Sequence, residues 1–153
     1  MGKRIAMMGA GALGGYAGGY FAHNGEDVTL IDFWPEHIET IRTKGLDLDG
    51  VTDAEKFVVR NAKTLHFKDL DTLKTQPPFD IIFITVKSYD TERVTRAVAP
   101  YLAKDGFMVS LQNCWNEDTI AAIVGKQRTV GTIASSISVE LYGPGRKIGR
   151  AHV

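Results

Sequence analysis

The sequence is poor in cysteine: Cys114 is the only one in 153 residues. That excludes an internal disulfide and a zinc site of the cysteine-cluster type. It also lacks a surplus of either charge, with 18 Lys and Arg against 18 Asp and Glu. A balanced chain sets up no general field for nucleic acid or an anionic membrane, and no local basic run supplies one. Neither is expected as a partner. Long apolar stretches are missing as well. Runs such as Ile81-Ile82-Phe83-Ile84 fall far short of the roughly 18 residues of a membrane span. The apolar stretch after Lys3-Arg4 is interrupted by glycines and reads as a strand entering a loop, not as a signal peptide. Four histidines, at 23, 37, 66 and 152, show no metal-ligand spacing. There is no internal repeat or low-complexity linker. What remains is a 44 % hydrophobic chain, long enough for one domain with its own core and expected in the cytoplasm.

The order of elements is informative. Residues 4–8 form a short apolar run that reads as a buried strand. Residues 12–23 read as a helix stopped by Asn24-Gly25, and 27–32 as a second strand. Pro35 suits the first turn of an amphipathic helix over 35–44, ended by Gly45. This strand–helix–strand–helix order is that of a parallel sheet with crossover helices. Residues 46–67 suggest short strands or a hairpin turning near Asp49-Gly50. Residues 81–86 are the most apolar strand and belong at the sheet centre. A helix is expected over 91–102, with Val94, Val98 and Leu102 on one side. A strand follows over 107–111, a helix from Asn116 or Glu117 to Val124, a strand over 129–139, and a turn at Pro144-Gly145. The fold class is therefore α/β, a Rossmann-type doubly wound, mostly parallel sheet flanked by helices, with residues 1–153 as a nucleotide-binding domain.

The strongest chemical signal is Gly9-Ala10-Gly11-Ala12-Leu13-Gly14. A G-x-G-x-x-G pattern alone is weak. Here it follows a strand, opens a helix, and precedes an acidic residue at the tip of the next strand. Gly9 allows a tight turn, Gly11 leaves room for a pyrophosphate, and Gly14 lets the helix approach the sheet. The unpaired N–H groups and dipole at the helix start favour phosphate charge. Gly11, Gly14, Gly15, Gly18 and Gly19 lie within a ~140° arc of that helix, and each costs roughly 1 kcal/mol against alanine. Such a face implies close approach to the sheet or to a ligand.

Asp32 at the second strand's tip suits the adenosine ribose hydroxyls and would repel a 2′-phosphate, so residue chemistry favours NAD over NADP. The other reading is an aspartate capping the helix that begins near Pro35. Phe33 and Trp34 stand where a basic residue often accompanies NADP. Lys87 directly follows the central strand, at the end where open α/β sheets bind ligands. It is placed to attract an anionic substrate or polarise a carbonyl, or else is a solvated strand-end lysine. Asn113 ends the next strand in Gln112-Asn113 and offers a donor and an acceptor, or serves as a turn residue. Together, on successive strand ends, Lys87 and Asn113 read as a site. Cys114 has no histidine near in sequence to act as its base, and reads as a small apolar filler. Trp115 reads as core or interface.

With Gly9-Ala-Gly-Ala-Leu-Gly-Gly15, Val86-Lys87, Leu111-Gln-Asn113 and the Gly143-Pro-Gly145 turn in this order, the sequence resembles the ketopantoate reductase (2-dehydropantoate 2-reductase) family. The resemblance spans nearly the whole chain. It implies NADPH-dependent reduction of 2-dehydropantoate to pantoate, a step towards coenzyme A. Relatives reduce other 2-keto acids to D-2-hydroxy acids, some with NADH. It also implies that Lys87 and Asn113 lie near the nicotinamide and the substrate, and that Gly9, Ala10, Gly11, Ala12, Leu13, Gly14 and Asp32 hold the cofactor. Two departures stand out. Cys114 occupies the position after the asparagine where the family usually has glycine, which bears on the turn, the pocket and the substrate. Asp32 and Phe33 occupy the place of a basic residue, which favours NADH. The family's second, helical domain, which supplies a general-acid lysine, has no counterpart in these residues. The chain is thus expected to be the nucleotide half of a 2-keto-acid reductase, weak in nucleotide binding and inactive alone unless a further segment or partner chain completes it. An NAD-dependent D-2-hydroxyacid dehydrogenase of the same superfamily, an opine or glycerol-3-phosphate type of dehydrogenase, or a non-catalytic nucleotide-sensing module are the other readings. A small 2-keto acid is the expected ligand, and a homodimer is compatible with it.

Overall fold

The computed structural model describes residues 2–135 and 137–151. His152 lies outside them. Six strands form one sheet: β1 (Arg4–Met8), β2 (Asp27–Asp32), β5 (Lys63–His66), β6 (Phe79–Ile84), β7 (Leu102–Leu111) and β8 (Thr129–Thr132). Their order is β5-β2-β1-β6-β7-β8, and every pairing is parallel. The chain leaves β1 towards β2 on one side and returns to β6 on the other. The loops after β1 and β6 therefore open beside each other, at the reversal point where such sheets bind ligands.

Side-chain alternation explains why both faces of the sheet are covered. Ile5 and Met7 of β1 point into one apolar cluster, Ala6 and Met8 into the other. The second cluster joins Ile82, Ile84 and Met108 to Val94 and Val98 of helix α3 (Thr91–Val98) and Ile120 of helix α4 (Glu117–Val124). The first packs under helix α1 (Ala12–His23). Helix α2 (Pro35–Lys44) follows β2 with Pro35 in its first turn, burying His37, Ile38 and Ile41.

A second, four-stranded sheet covers the far side of α1. It is built from β3 (Leu46–Leu48), β4 (Phe57–Val59), β9 (Ser138–Gly143) and β10 (Arg146–Ala151) in the order β4-β3-β10-β9. The expected hairpin in 46–67 is the antiparallel β3–β4 pair. The Pro144-Gly145 turn joins β9 to β10. A helix held between two sheets accounts for the glycines on α1. A Cβ at Gly14 would overlap the Gly9 carbonyl oxygen, one at Gly18 would lie 2.7 Å from Met7 and Leu30 of the main sheet, and one at Gly19 would lie 2.8 Å from Leu48 of the small sheet.

Several boundaries differ from the sequence reading. The helix expected to reach residue 102 stops at Val98. A short 3-10 turn containing Pro100 follows, because proline cannot continue the α-helical hydrogen bonding. Leu102 is therefore the first residue of β7, which starts five residues before the expected 107. The central strand covers Phe79–Ile84, so 85 and 86 belong to the following loop. The strand expected over 129–139 is two strands in different sheets, β8 and β9. Strand β5 falls within the 46–67 stretch read as short strands, but its residues were not singled out and its place at the edge of the main sheet beside β2 was not anticipated.

Candidate functional site

The β1–α1 loop is fixed from three directions. Gly9 has φ +109°, and a Cβ there would come within 2.9 Å of Thr85 Oγ1. Thr85 Oγ1 lies 2.6 Å from the Gly9 carbonyl and 2.9 Å from that of Met8, so its hydroxyl ties this loop to the end of β6. Ala10 is held at both ends. Its N–H donates to Asp32 Oδ2 at 2.8 Å, and its carbonyl lies 2.8 Å from His37 Nε2. His37 Nδ1 accepts the Gly145 N–H at 2.9 Å, so Nε2 carries the ring proton and donates it to Ala10. His37 is 0 % exposed.

Asp32 has both oxygens engaged by backbone donors, Ala10 N–H on Oδ2 and Trp34 N–H on Oδ1. It does not cap α2; that position belongs to Trp34, whose side chain makes no cap bond. The carboxylate still faces the main cleft, a cavity of about 550 Å³ walled by Gly9 and Gly11–Leu13, Asp32 and Phe33, Thr85–Ser88, Leu111–Asn113 and Ile137–Val139. Gly11 is the N-cap of α1 and supplies no side-chain cap, and among the described residues a Cβ built on it meets nothing within 4 Å. The first turn of α1 thus presents its N–H groups to open space, and only a glycine leaves that space open.

The structure brings all the sequence-predicted residues to this cleft or onto its rim. Gly9, Gly11, Ala12, Leu13, Asp32, Lys87 and Asn113 line it, while Ala10 and Gly14 lie behind, the first bonded and the second packed against the loop. Lys87 and Asn113 are exposed and lie on neighbouring strand ends. Phe33 is braced from below: the Arg93 guanidinium lies 4.6 Å from its ring centre, and Phe67 packs at 4.2 Å. Arg93 supplies a cation near Phe33 that the order of residues does not reveal, but it is paired with Asp90 at 2.9 Å.

One expectation fails here, and a second narrows. Cys114 is not an apolar filler. It is exposed, with φ +70°, a left-handed conformation that explains why glycine suits this position. Of the two readings of Trp115, core and interface, the structure removes the first: it is 79 % exposed and its Nε1 donates to Asp118 at 2.9 Å. Both line a second hollow of about 320 Å³ that shares Leu13, Gln112 and Asn113 with the main cleft. Sequence reasoning missed Thr85, His37 and the Ile137–Val139 wall. His37 had one available signal, its place on the apolar side of α2 between Pro35 and Ile38, but its partners are remote in sequence. Among the described residues no cluster of His, Cys, Asp and Glu could hold a metal, and no helix is long and apolar enough to cross a membrane.

The model of the family described as ketopantoate reductase PanE/ApbA matches residues 5–149. The 2-dehydropantoate 2-reductase of Pyrococcus horikoshii is 35 % identical over 143 residues, covering 93 % of this chain and 42 % of the relative. A solved PanE/ApbA family ketopantoate reductase from Ralstonia eutropha is 32 % identical with a TM-score of 0.74, covering 97 % of this chain and 45 % of its own. A structure of D-mandelate dehydrogenase with NADH is 25 % identical with a TM-score of 0.73, covering 97 % and 43 %. The chain thus spans less than half the length of these relatives.

Proposed function

The chain belongs to the ketopantoate reductase family, and from that premise we propose that it is the nucleotide-binding half of an NAD(P)H-dependent 2-keto-acid reductase. One observation carries this reading. A glycine cradle, a strand-tip carboxylate and a lysine–asparagine pair share a single cleft at the reversal point of a parallel sheet. The open space over Gly11 fits a pyrophosphate, which the N–H groups of the first turn of α1 would receive. Asp32 would take the adenosine ribose hydroxyls, and its negative charge opposes a 2′-phosphate. Arg93 does not offset this, because Asp90 already neutralises it.

A reduced nicotinamide bound here supplies hydride to a ketone. The residues of this chain orient and polarise. Lys87, exposed and without an ion pair among the described residues, would attract a 2-keto acid's carboxylate or draw charge onto its ketone oxygen. Asn113 would hold the same oxygen or the nicotinamide ribose. The proton that completes the alcohol is assigned to a lysine of the family's helical domain. That domain, and 2-dehydropantoate as substrate, belong to this proposal. An NAD-dependent 2-hydroxyacid dehydrogenase is the second reading, favoured by Asp32 and by the NADH in the D-mandelate dehydrogenase relative.

Titrating NADH and NADPH against the chain tests the reading. NADH should bind at least about tenfold more tightly, roughly 1.4 kcal/mol. Failure of both to bind overturns the nucleotide assignment, and tighter NADPH overturns the role of Asp32. In an enzyme carrying this domain, Lys87→Ala should lower kcat/KM by about 100-fold or more and leave NADH affinity within about threefold. Unchanged turnover would favour a sensing module.

A further inference from the structure

The two loops carrying Lys87 and Asn113 are tied together by a partly buried web of hydrogen bonds. Gln112 Nε2 donates to the Val86 carbonyl at 2.7 Å and to Thr91 Oγ1 at 2.8 Å. Asn116, 6 % exposed, donates from Nδ2 to the Asn113 carbonyl at 2.8 Å and lies 3.3 Å from Ser88 Oγ. Its Oδ1 accepts from Thr91 Oγ1 at 3.5 Å. Ser88 Oγ, next to Lys87, donates to the same Asn113 carbonyl at 3.2 Å. Thr91 is itself buried, so neither amide can exchange these partners for water without cost.

We infer that Asn116 is a positioning residue, which sets Asn113 relative to Lys87 through this partly buried web. The inference rests on the cleft being the nicotinamide site. The physical reason is local. Cys114 takes a left-handed conformation despite its Cβ, so the Asn113–Trp115 turn is under backbone strain and needs an external hold. Asn116 supplies it, with a side chain that is buried, fully engaged and close to both loops. Asn113 is exposed and its carbonyl is the only part of it these bonds grip, so its amide stays available to a ligand. Gln112 fixes the Val86 end of the same unit. A bound ligand then meets two polar side chains already in register, which lowers the ordering cost of recognition.

The test is a 15N-labelled chain titrated with NADH. In the natural sequence, the backbone peaks of Gly9 to Gly14 and the side-chain amide peaks of Asn113 should both shift. Asn116→Asp keeps the shape but loses the donor to the Asn113 carbonyl. It should keep the glycine-loop shifts, with an NADH dissociation constant within about twofold, and lose more than about half of the Asn113 side-chain shift. A merely structural role would move both sets or neither. Thr91→Val, equal in shape, removes the hydroxyl shared by Gln112 and Asn116. It should lessen the Asn113 shift in the same direction, and it decides the matter if Asn116→Asp does not fold. An unchanged Asn113 shift in the folded variants overturns the inference while leaving the nucleotide site standing. Absence of glycine-loop shifts in the natural sequence overturns the nucleotide site, and the inference with it.

Discussion

Single residues in the β1–α1 loop separate stability from binding. Gly14→Ala gains roughly 1 kcal/mol of helix propensity but drives a methyl into the Gly9 carbonyl and against Thr85. Overpacking against backbone costs about 1–3 kcal/mol or more, so the net change is destabilising and should lower the urea midpoint. Gly11→Ala meets no atom of the described residues within 4 Å. It should leave the urea midpoint nearly unchanged and weaken NADH binding by about tenfold, or 1.4 kcal/mol, because the methyl enters the phosphate cradle. Equal stability losses in both variants would remove the distinction. The glycine spacing itself was legible from the sequence, as was the need for close approach on that face. So were the open space over Gly11 and the close approach at Gly14; that Gly19 meets a second sheet was not, since Leu46 and Leu48 reach α1 only through tertiary folding.

At the level of elements, α3 carries a testable flaw. It buries Thr91, Val94, Thr95 and Val98 against the sheet, and Thr95 Oγ1 is buried with no hydrogen-bond partner among the described residues. An unsatisfied buried hydroxyl costs about 1–3 kcal/mol. Thr95→Val, nearly equal in shape, should therefore stabilise the fold by about 1 kcal/mol, seen as a higher urea midpoint at unchanged m-value. The apolar spacing of 94, 98 and 102 was readable as one helical face, and all three residues are buried. The error lay in continuing the helix past Pro100, which lets Leu102 reach the same core from a strand. Strand β8 and strand β9 were merged for a related reason. Both alternate loosely, and a break between sheets leaves no mark when neither neighbour in space is known.

For the whole molecule, the β–α–β order and central apolar strand were enough to place the parallel sheet and its ligand end. The place of β5 beside β2 and the joining of the β3–β4 hairpin to β10 were beyond reach, because β10 pairs with β3 across about a hundred residues, as Ile148 with Leu48, and local pattern does not encode such pairings. His37 belongs to this scale. It joins the Ala10 carbonyl to the Gly145 N–H, 108 residues after it. His37→Ala leaves both groups without their partner. At about 1–3 kcal/mol for each buried unsatisfied group, the two together should lower stability by about 2–6 kcal/mol. It should also weaken NADH binding more than the distance from the cleft suggests. A variant as stable as the natural chain would show that water replaces the ring.

The double engagement of Asp32 has an outcome for anyone redesigning this protein, and for its descent. The carboxylate proposed to choose between the two nicotinamide dinucleotides is also the strut that holds Ala10 N–H in the loop receiving either of them. Exchanging it for a basic residue would change preference and dismantle the cradle in one step. A route to the phosphorylated cofactor therefore runs first through Phe33 and the Asp90–Arg93 pair, where freeing a guanidinium leaves the loop intact. Asp32 is a locked position, open to change only after another side chain has taken over its grip on the loop.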